Sequence, residues 1–266
     1  MMGKRKASGN GKDATSVRTR IFVEDLLESG QSLGLKPTQA HYLRHVLRLS
    51  AGDTIAVFNG QHGEWRATIA GFGKGWASVD VIDQSQPQSP EPDLWLLFAP
   101  IKYARIDYLA QKATELGVSV LQPVLTARTS VSRVNTDRLA ANAIEAAQQT
   151  GRLSVPEIRA PKGLKTVLEG WDETRRLMFC DESGSGAPIA EALIATEPGA
   201  TKSNPWAILI GPEGGFDVTE LDALKKLPFV TPVSLGPRLL RADTAAVAAL
   251  ACWQAVLGDW VGSSPR

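Results

Sequence analysis

The chain has 266 residues, 43% of them apolar and 21% charged, with 29 Lys+Arg against 28 Asp+Glu and a formal net charge of +1. That composition excludes a disordered, collagenous or disulfide-framework protein, and the length allows one large or two modest domains with a real core. Global charge gives no sign of a nucleic-acid partner, so any such surface has to be read from local patterning.

Residues 1–17 read as a disordered basic tail, polar and glycine-containing, with no apolar segment of signal-peptide type. Residues 18–83 read as a small antiparallel β-barrel. Arg20 to Val23, Thr54 to Phe58, Glu64 to Phe72 and Trp76 to Ile82 have strand patterns, broken by Asn59-Gly60 and by G-F-G-K-G. Thr38 to Leu49 reads as a helix with Ala40, Leu43 and Leu47 on one face and His41, Arg44, His45 and Arg48 in a stripe on the other. An isolated stripe of that kind reads equally as a solvated face or as an RNA contact. No third ligand lies near His41 and His45, so no metal site is expected. Residues 84–93, Q-S-Q-P-Q-S-P-E-P-D, form the clearest linker.

Residues 94–266 alternate strands and helices, the pattern of an α/β domain. Leu94 to Ala99, Val118 to Val124, Leu177 to Asp181, Ala207 to Ile210 and Val230 to Leu235 are near-continuous apolar runs, which suits a parallel sheet covered on both faces. Between them lie helical patterns from Arg105 to Leu116 and from Thr136 to Thr150, each stopped by a glycine. A further helix opens at Asp217 with Glu220 at capping-box spacing. The last helix, Ala242 to Leu257, is apolar nearly all round and needs burial, in the core or at a subunit interface. Cys180 and Cys252 lie in apolar runs and read as buried thiols of a reducing compartment. With no run of about eighteen apolar residues, the expected location is cytoplasmic, with no membrane partner.

Two strand-turn-helix units carry the glycine signal. In W-A-I-L-I-G-P-E-G-G-F-D, Trp206 to Asp217, and S-L-G-P-R-L-L-R-A-D-T-A, Ser234 to Ala245, an apolar strand ends on Gly-Pro and a helix follows. Gly211, Gly214, Gly215 and Gly236 let the backbone take positive φ and approach a ligand closely, while Pro212 and Pro237 stiffen the same turns. One such turn alone reads as a tight loop; two in succession favour a binding site. No G-x-G-x-x-G follows the first strand of this domain and no G-x-x-x-x-G-K-[ST] occurs, which argues against a Rossmann dehydrogenase and a P-loop NTPase. Glycine turns with few charges suit a cofactor held by backbone hydrogen bonds and apolar contacts.

The run L-I-G-P-E-G-G-F followed by L-G-P-R-L-L-R-x-x-T-A closely resembles the RsmE family, the 16S ribosomal RNA uridine-N3 methyltransferases of the SPOUT superfamily. The likeness extends from I-K-Y-A-R-I-D-Y-L-A-Q-K-A-T-E-L-G-V at Ile101 through Q-T-G-R at Gln149 to Arg152 and on to the C-terminus. H-Y-L-R-H-V-L-R, His41 to Arg48, more loosely resembles that family's PUA-like RNA-binding domain. The resemblance implies a SPOUT-type α/β trefoil-knot methyltransferase domain behind a PUA-like β-barrel, with S-adenosylmethionine as cofactor and no metal. It puts Ile210, Gly211, Pro212 and Gly215 on one wall of the cofactor site and Leu235, Gly236, Leu240 and Ala245 on another. Cys180, Asp181 and Glu182 form the third loop. It also implies a homodimer through the C-terminal domain, and 16S rRNA or the small ribosomal subunit as partner.

Uridine N3 carries a proton at neutral pH, so methylation there needs that proton removed or the resulting anion stabilised. Arg241 and Arg152 are the expected stabilisers of charge on the uracil oxygens, and Asp243 is the nearest carboxylate. The family usually has Glu at both positions Asp243 and Gln148; the shorter arm of Asp243 puts a direct base role there in doubt, and at Gln148 the family's carboxylate is neutralised. Arg20, His41, Arg44 and Arg48 in the first domain, with Lys102 and Arg128 in the second, are the expected RNA-binding residues. Two alternatives stay open: a non-catalytic rRNA-binding assembly factor, and a SPOUT methyltransferase acting on tRNA.

Overall fold

The computed structural model describes residues 16–102, 104–131, 133–182, 184–196 and 204–261. Nearly all of the expected N-terminal tail therefore lies outside the described residues. The chain divides between Ser89 and Pro90 into two compact units.

The first unit holds strands Arg20–Phe22 (β1) and Ser32–Leu35 (β2), helix Pro37–His41 (α1), and strands Thr54–Phe58 (β3), Glu64–Gly73 (β4) and Trp76–Gln86 (β5). They form one sheet in the order β1-β3-β4-β5-β2. In β5, Ala77, Val79 and Val81 turn inward while Trp76, Asp80 and Ile82 stay exposed, the alternation of a sheet covered on one face. The expected barrel differs in two respects: β2 is a strand the sequence pattern did not announce, and β1 pairs parallel to β3, because β2 and α1 intervene and replace a hairpin with a crossover.

The expected helix over Thr38 to Leu49 is also corrected. After α1 the backbone widens into a π-helical turn, Tyr42–Val46, closed by Leu47 N–H to Tyr42 O at 3.0 Å. Leu49 N–H then returns to Leu43 O at 2.9 Å, and Arg48 between them takes φ 56°, the single non-glycine with positive φ among the described residues. Pro37 at the first helical position supplies the fixed φ that starts this segment.

The second unit runs Leu94–Phe98 (β6), Ala104–Glu115 (α2), Val120–Leu125 (β7), Thr136–Thr150 (α3), Glu157–Ile158 (β8), Lys162–Gly163 (β9), Leu164–Glu169 (α4), Arg176–Cys180 (β10), Ala187–Pro188 (β11), Ile189–Ile194 (α5), Trp206–Ile210 (β12), Val218–Lys225 (α6), Val230–Ser234 (β13) and Ala242–Val256 (α7). Its main sheet has the order β11-β13-β10-β12-β6-β7-β8, parallel throughout.

The strands read as continuous apolar runs because both faces are covered. Leu94, Leu96 and Phe98 of β6 with Ile208 and Ile210 of β12 face α2 and α7. Leu97 with Leu177, Phe179 and Leu209 faces Leu164 of α4 and Leu224 of α6. Helix ends follow the expected signals: Asn135 caps α3 by accepting from Arg138 N–H at 3.0 Å, Gly151 ends it at φ 75°, and Gly117 follows α2 at φ 80°.

Within the expected linker 84–93, Gln84 to Gln86 belong to β5, and Gln88 accepts from Gly63 N–H at 3.0 Å. Glu91 and Asp93 are tied into the second unit by Arg152 and Arg175. Helix α7 packs Ala245, Ala246, Ala249, Leu250 and Trp253 into the unit's own core. Its opposite face, Thr244, Ala248, Ala251 and Ala255, is partly or fully exposed.

Candidate active site

Strands β10, β12 and β13 are neighbours in the sheet, and the loops leaving their C-terminal ends enclose one cleft of about 620 Å³. That is the ordinary size of a small-molecule site, at the end of a parallel sheet where such sites form. Every residue expected to hold the cofactor lines it: Cys180, Asp181 and Glu182 after β10; Ile210, Gly211, Pro212 and Gly215 after β12; Leu235, Gly236, Leu240 and Ala245 after β13. Arg241 lines it as well, exposed at the N-cap of α7.

The glycines divide by the reason they are needed. Gly236 has φ 102°, and a Cβ there would meet nothing of the protein within 4 Å, so its Cα borders the open space of the cleft. Gly215, at φ 69°, has no room for a Cβ because the Glu182 carboxylate occupies it. At Gly211 the obstacle is the Phe216 ring, 2.7 Å from a Cβ position. Phe216 lines the cleft and stands edge-on to Phe179, their centroids 6.0 Å apart, which stiffens the turn from behind.

The turn after β12 is held by charges, among them Arg128, a residue expected at the RNA surface. Arg128 donates to Gly214 O at 3.1 Å and lies 3.6 Å from Asp217, while Arg105, near the start of α2, pairs with Glu213. Asp217 caps α6 by accepting from Thr219 N–H, and that backbone bond, with the Thr219 hydroxyl and Arg128, holds its carboxyl below the usual range. Glu220 completes the capping box on Asp217 N–H at 3.0 Å and accepts from Ala127 N–H at 2.8 Å, so one side chain joins two loops. Burial, reinforced by Cys252, pushes the Cys180 thiol up to about 12, which keeps it neutral and unreactive in the wall of the cleft.

Two expected catalytic residues are not in the cleft. Arg152 is 9% exposed; its guanidinium bonds Glu91 at 2.6 and 3.0 Å, Thr114 O at 2.8 Å and Ser154, so in the protomer it locks the chain after α3. Asp243 accepts from Thr244 N–H at 3.1 Å in the first turn of α7 and is not among the lining residues. The run G-Q-S-L-G from Gly30 to Gly34 has the G-x-S-x-G form but is no nucleophile elbow, because Ser32 lies in β2 with its hydroxyl on Asp80.

Against known proteins, residues 87–254 match the family described as RNA methyltransferase domain, and residues 35–82 match the RNA methyltransferase PUA domain. The chain belongs to the ribosomal RNA small subunit methyltransferase E family. A member from Rickettsia conorii is 30% identical over 87% of this chain and 93% of its own length. Another, from Synechocystis, is 33% identical over 90% and 78%. The crystal structure of a ribosomal RNA small subunit methyltransferase E from Neisseria gonorrhoeae bound to S-adenosyl methionine superposes with a TM-score of 0.80 at 26% identity, covering 91% of this chain and 99% of that one. A putative methyltransferase from Legionella pneumophila in complex with the same cofactor gives 0.79 at 31% identity, over 91% and 100%.

The PUA match contains the His41 to Arg48 segment. There His41, Arg44, His45 and Arg48 are exposed, the two imidazoles lie 4.9 Å apart, and Arg44 stands over Phe72 at 5.9 Å. Arg20 differs: it pairs with Glu64 at 2.5 Å and lies over Phe58 at 4.4 Å, so its charge is used inside the unit. In the second unit, Lys102 is exposed, and Arg128 is exposed while bound to the turn after β12. No group of three or more potential metal ligands occurs among the described residues, and no described helix is long and apolar enough to cross a membrane.

Proposed function

We propose that this chain is an S-adenosylmethionine-dependent methyltransferase that modifies N3 of a uridine in 16S rRNA. One observation carries the cofactor assignment: three loops from adjacent parallel strands converge on a single cleft lined by glycine backbone and by Ile210, Leu235, Leu240 and Ala245. Gly236, with open space where a Cβ would stand, offers the close backbone approach that a purine nucleoside needs. The cofactor supplies an activated methyl on a sulfonium. Family membership supports small-subunit rRNA over tRNA as substrate, and the trefoil knot belongs to the same proposal, supported by the likeness to the cofactor-bound relatives.

Arg241, exposed in the cleft, is positioned to meet charge that builds on the uracil oxygens as N3 is deprotonated. N3 lies on the pairing edge, so the base has to be unpaired or extruded, and exposed cations have to hold the strand. His41, Arg44, Arg48 and Lys102 serve that end, with Arg128 able to contribute from the cofactor turn. A homodimer through the exposed small-residue face of α7 is part of this reading.

The test is the product. Purified protein, cofactor and rRNA or small subunits from a strain lacking the enzyme should yield 3-methyluridine by nuclease digestion and mass spectrometry, with a reverse-transcription stop at the site. A methyl on ribose or C5, or on tRNA only, rejects it. Arg241→Ala should slow transfer more than it weakens RNA binding.

A further inference from the structure

Three carboxylates line the cleft, and the protein itself engages two of them. Asp181 is buried, accepts from the Ser185 hydroxyl at 2.6 Å and lies 3.1 Å from the Lys225 ammonium, which also reaches Ser185 at 2.7 Å. Glu213 is paired with Arg105. Glu182 lies on the same cleft wall, is exposed, and has no hydrogen bond or ion pair among the described residues.

The place for this third carboxylate is built from both sides. Gly215 takes φ 69° and leaves free the volume its Cβ would fill, and a Glu182 carboxylate oxygen stands there. The preceding residue is fixed by the triangle of Asp181, Ser185 and Lys225. Unlike Asp181 and Glu213, Glu182 is committed to no hydrogen bond or ion pair among the described residues, so its oxygens stay open to a donor on a bound ligand.

We propose that Glu182 is the proton acceptor for the target uridine, an inference that rests on the function proposed above. The N3 proton passes to a Glu182 carboxylate oxygen, and the electron pair of the N3–H bond becomes the pair that binds the methyl carbon. The bond from that carbon to sulfur breaks with its pair retained by sulfur. A carboxylate and a sulfonium are thereby replaced by a carboxylic acid and a thioether, both neutral, and the acid returns its proton to water. Asp243, outside the cleft, has no part in this step.

Glu182→Gln keeps the size of the side chain and removes the basic oxygen. By calorimetry it should bind S-adenosylmethionine within about threefold of the unaltered protein, and by filter retention it should bind rRNA equally well, while single-turnover methylation falls by about 10²–10⁴-fold. Glu182→Asp should recover part of the rate. An rRNA fragment with 5-fluorouridine at the target, whose N3 proton is more acidic, should rescue Glu182→Gln by about tenfold or more and change the unaltered enzyme little.

Loss of cofactor affinity in step with rate would make Glu182 a binding contact and overturn the assignment, as would an unchanged rate or absence of rescue. If the unaltered protein binds cofactor and RNA yet forms no 3-methyluridine, the underlying function fails instead.

Discussion

At the scale of single residues, Gly236 and Arg152 show how differently two expected site residues behave once their surroundings are known. A side chain at Gly236 meets no protein atom within 4 Å, so substitution there should act on the ligand and on φ rather than on the core. Gly236→Val should therefore leave far-UV circular dichroism unchanged and remove S-adenosylmethionine binding in calorimetry. Unchanged affinity would mean the cofactor lies elsewhere. Arg152 has the opposite profile. Its Glu91 partner is largely buried, and removing one member of such a pair strands the other, at a cost of about 3–5 kcal/mol. Arg152→Ala should lower the unfolding midpoint sharply. A variant of full stability but no activity would return Arg152 to the reaction.

At the scale of elements, the π-helical turn and α7 each had an ambiguous pattern. Leu43 and Leu47 repeat with α-helical spacing, so nothing in the apolar pattern announces the widened turn, and only Arg48 at φ 56° shows where the chain leaves it. An L-residue in the left-handed region costs about 1 kcal/mol relative to glycine. Arg48→Gly should accordingly stabilise the protein by about that amount in urea titration while weakening RNA binding; a gain in both would show that the guanidinium has no role. In α7, apolar residues all round could not say which face the chain covers by itself. Trp253 is fully buried in the protomer, so Trp253→Glu should unfold it and report nothing about assembly. Ala251→Glu, on the partly exposed face, should stay folded and sediment as a monomer where the unaltered protein is a dimer. A monomer in both cases would dispose of the interface.

Across the whole molecule, the parts legible in sequence were those whose physics is local. The core strands of the second unit announced themselves by continuous apolar runs, and the cleft walls by glycines at strand ends, which is why all eleven expected cofactor residues line one cleft. Missed were β2, of four residues, β8, β9 and β11, of two each, and the six-residue helices α4 and α5, all too short for a periodic pattern to stand out. Missed too were the partners of Arg20, Arg128 and Arg152, because an ion pair between distant segments leaves no mark on either segment alone. Since the net charge is only +1, affinity for rRNA should come from a few placed cations and not from a general field. Arg44→Ala should weaken RNA binding and lower the slope of log affinity against log salt by about one, with cofactor affinity untouched. An unaltered slope would remove Arg44 from the interface.

The order of strands across the cleft also governs when the site can exist during synthesis. β10 lies between β12 and β13 but precedes both in the chain. A nascent chain halted after α6 would carry the Asp181 and Gly211 walls while the flank of β10 that receives β13 stayed unpaired, an open template for another strand. Ribosome-bound chains of graded length should thus be prone to association and indifferent to S-adenosylmethionine until β13 and the turn beyond it have emerged. Competence would then appear in one step, late in translation.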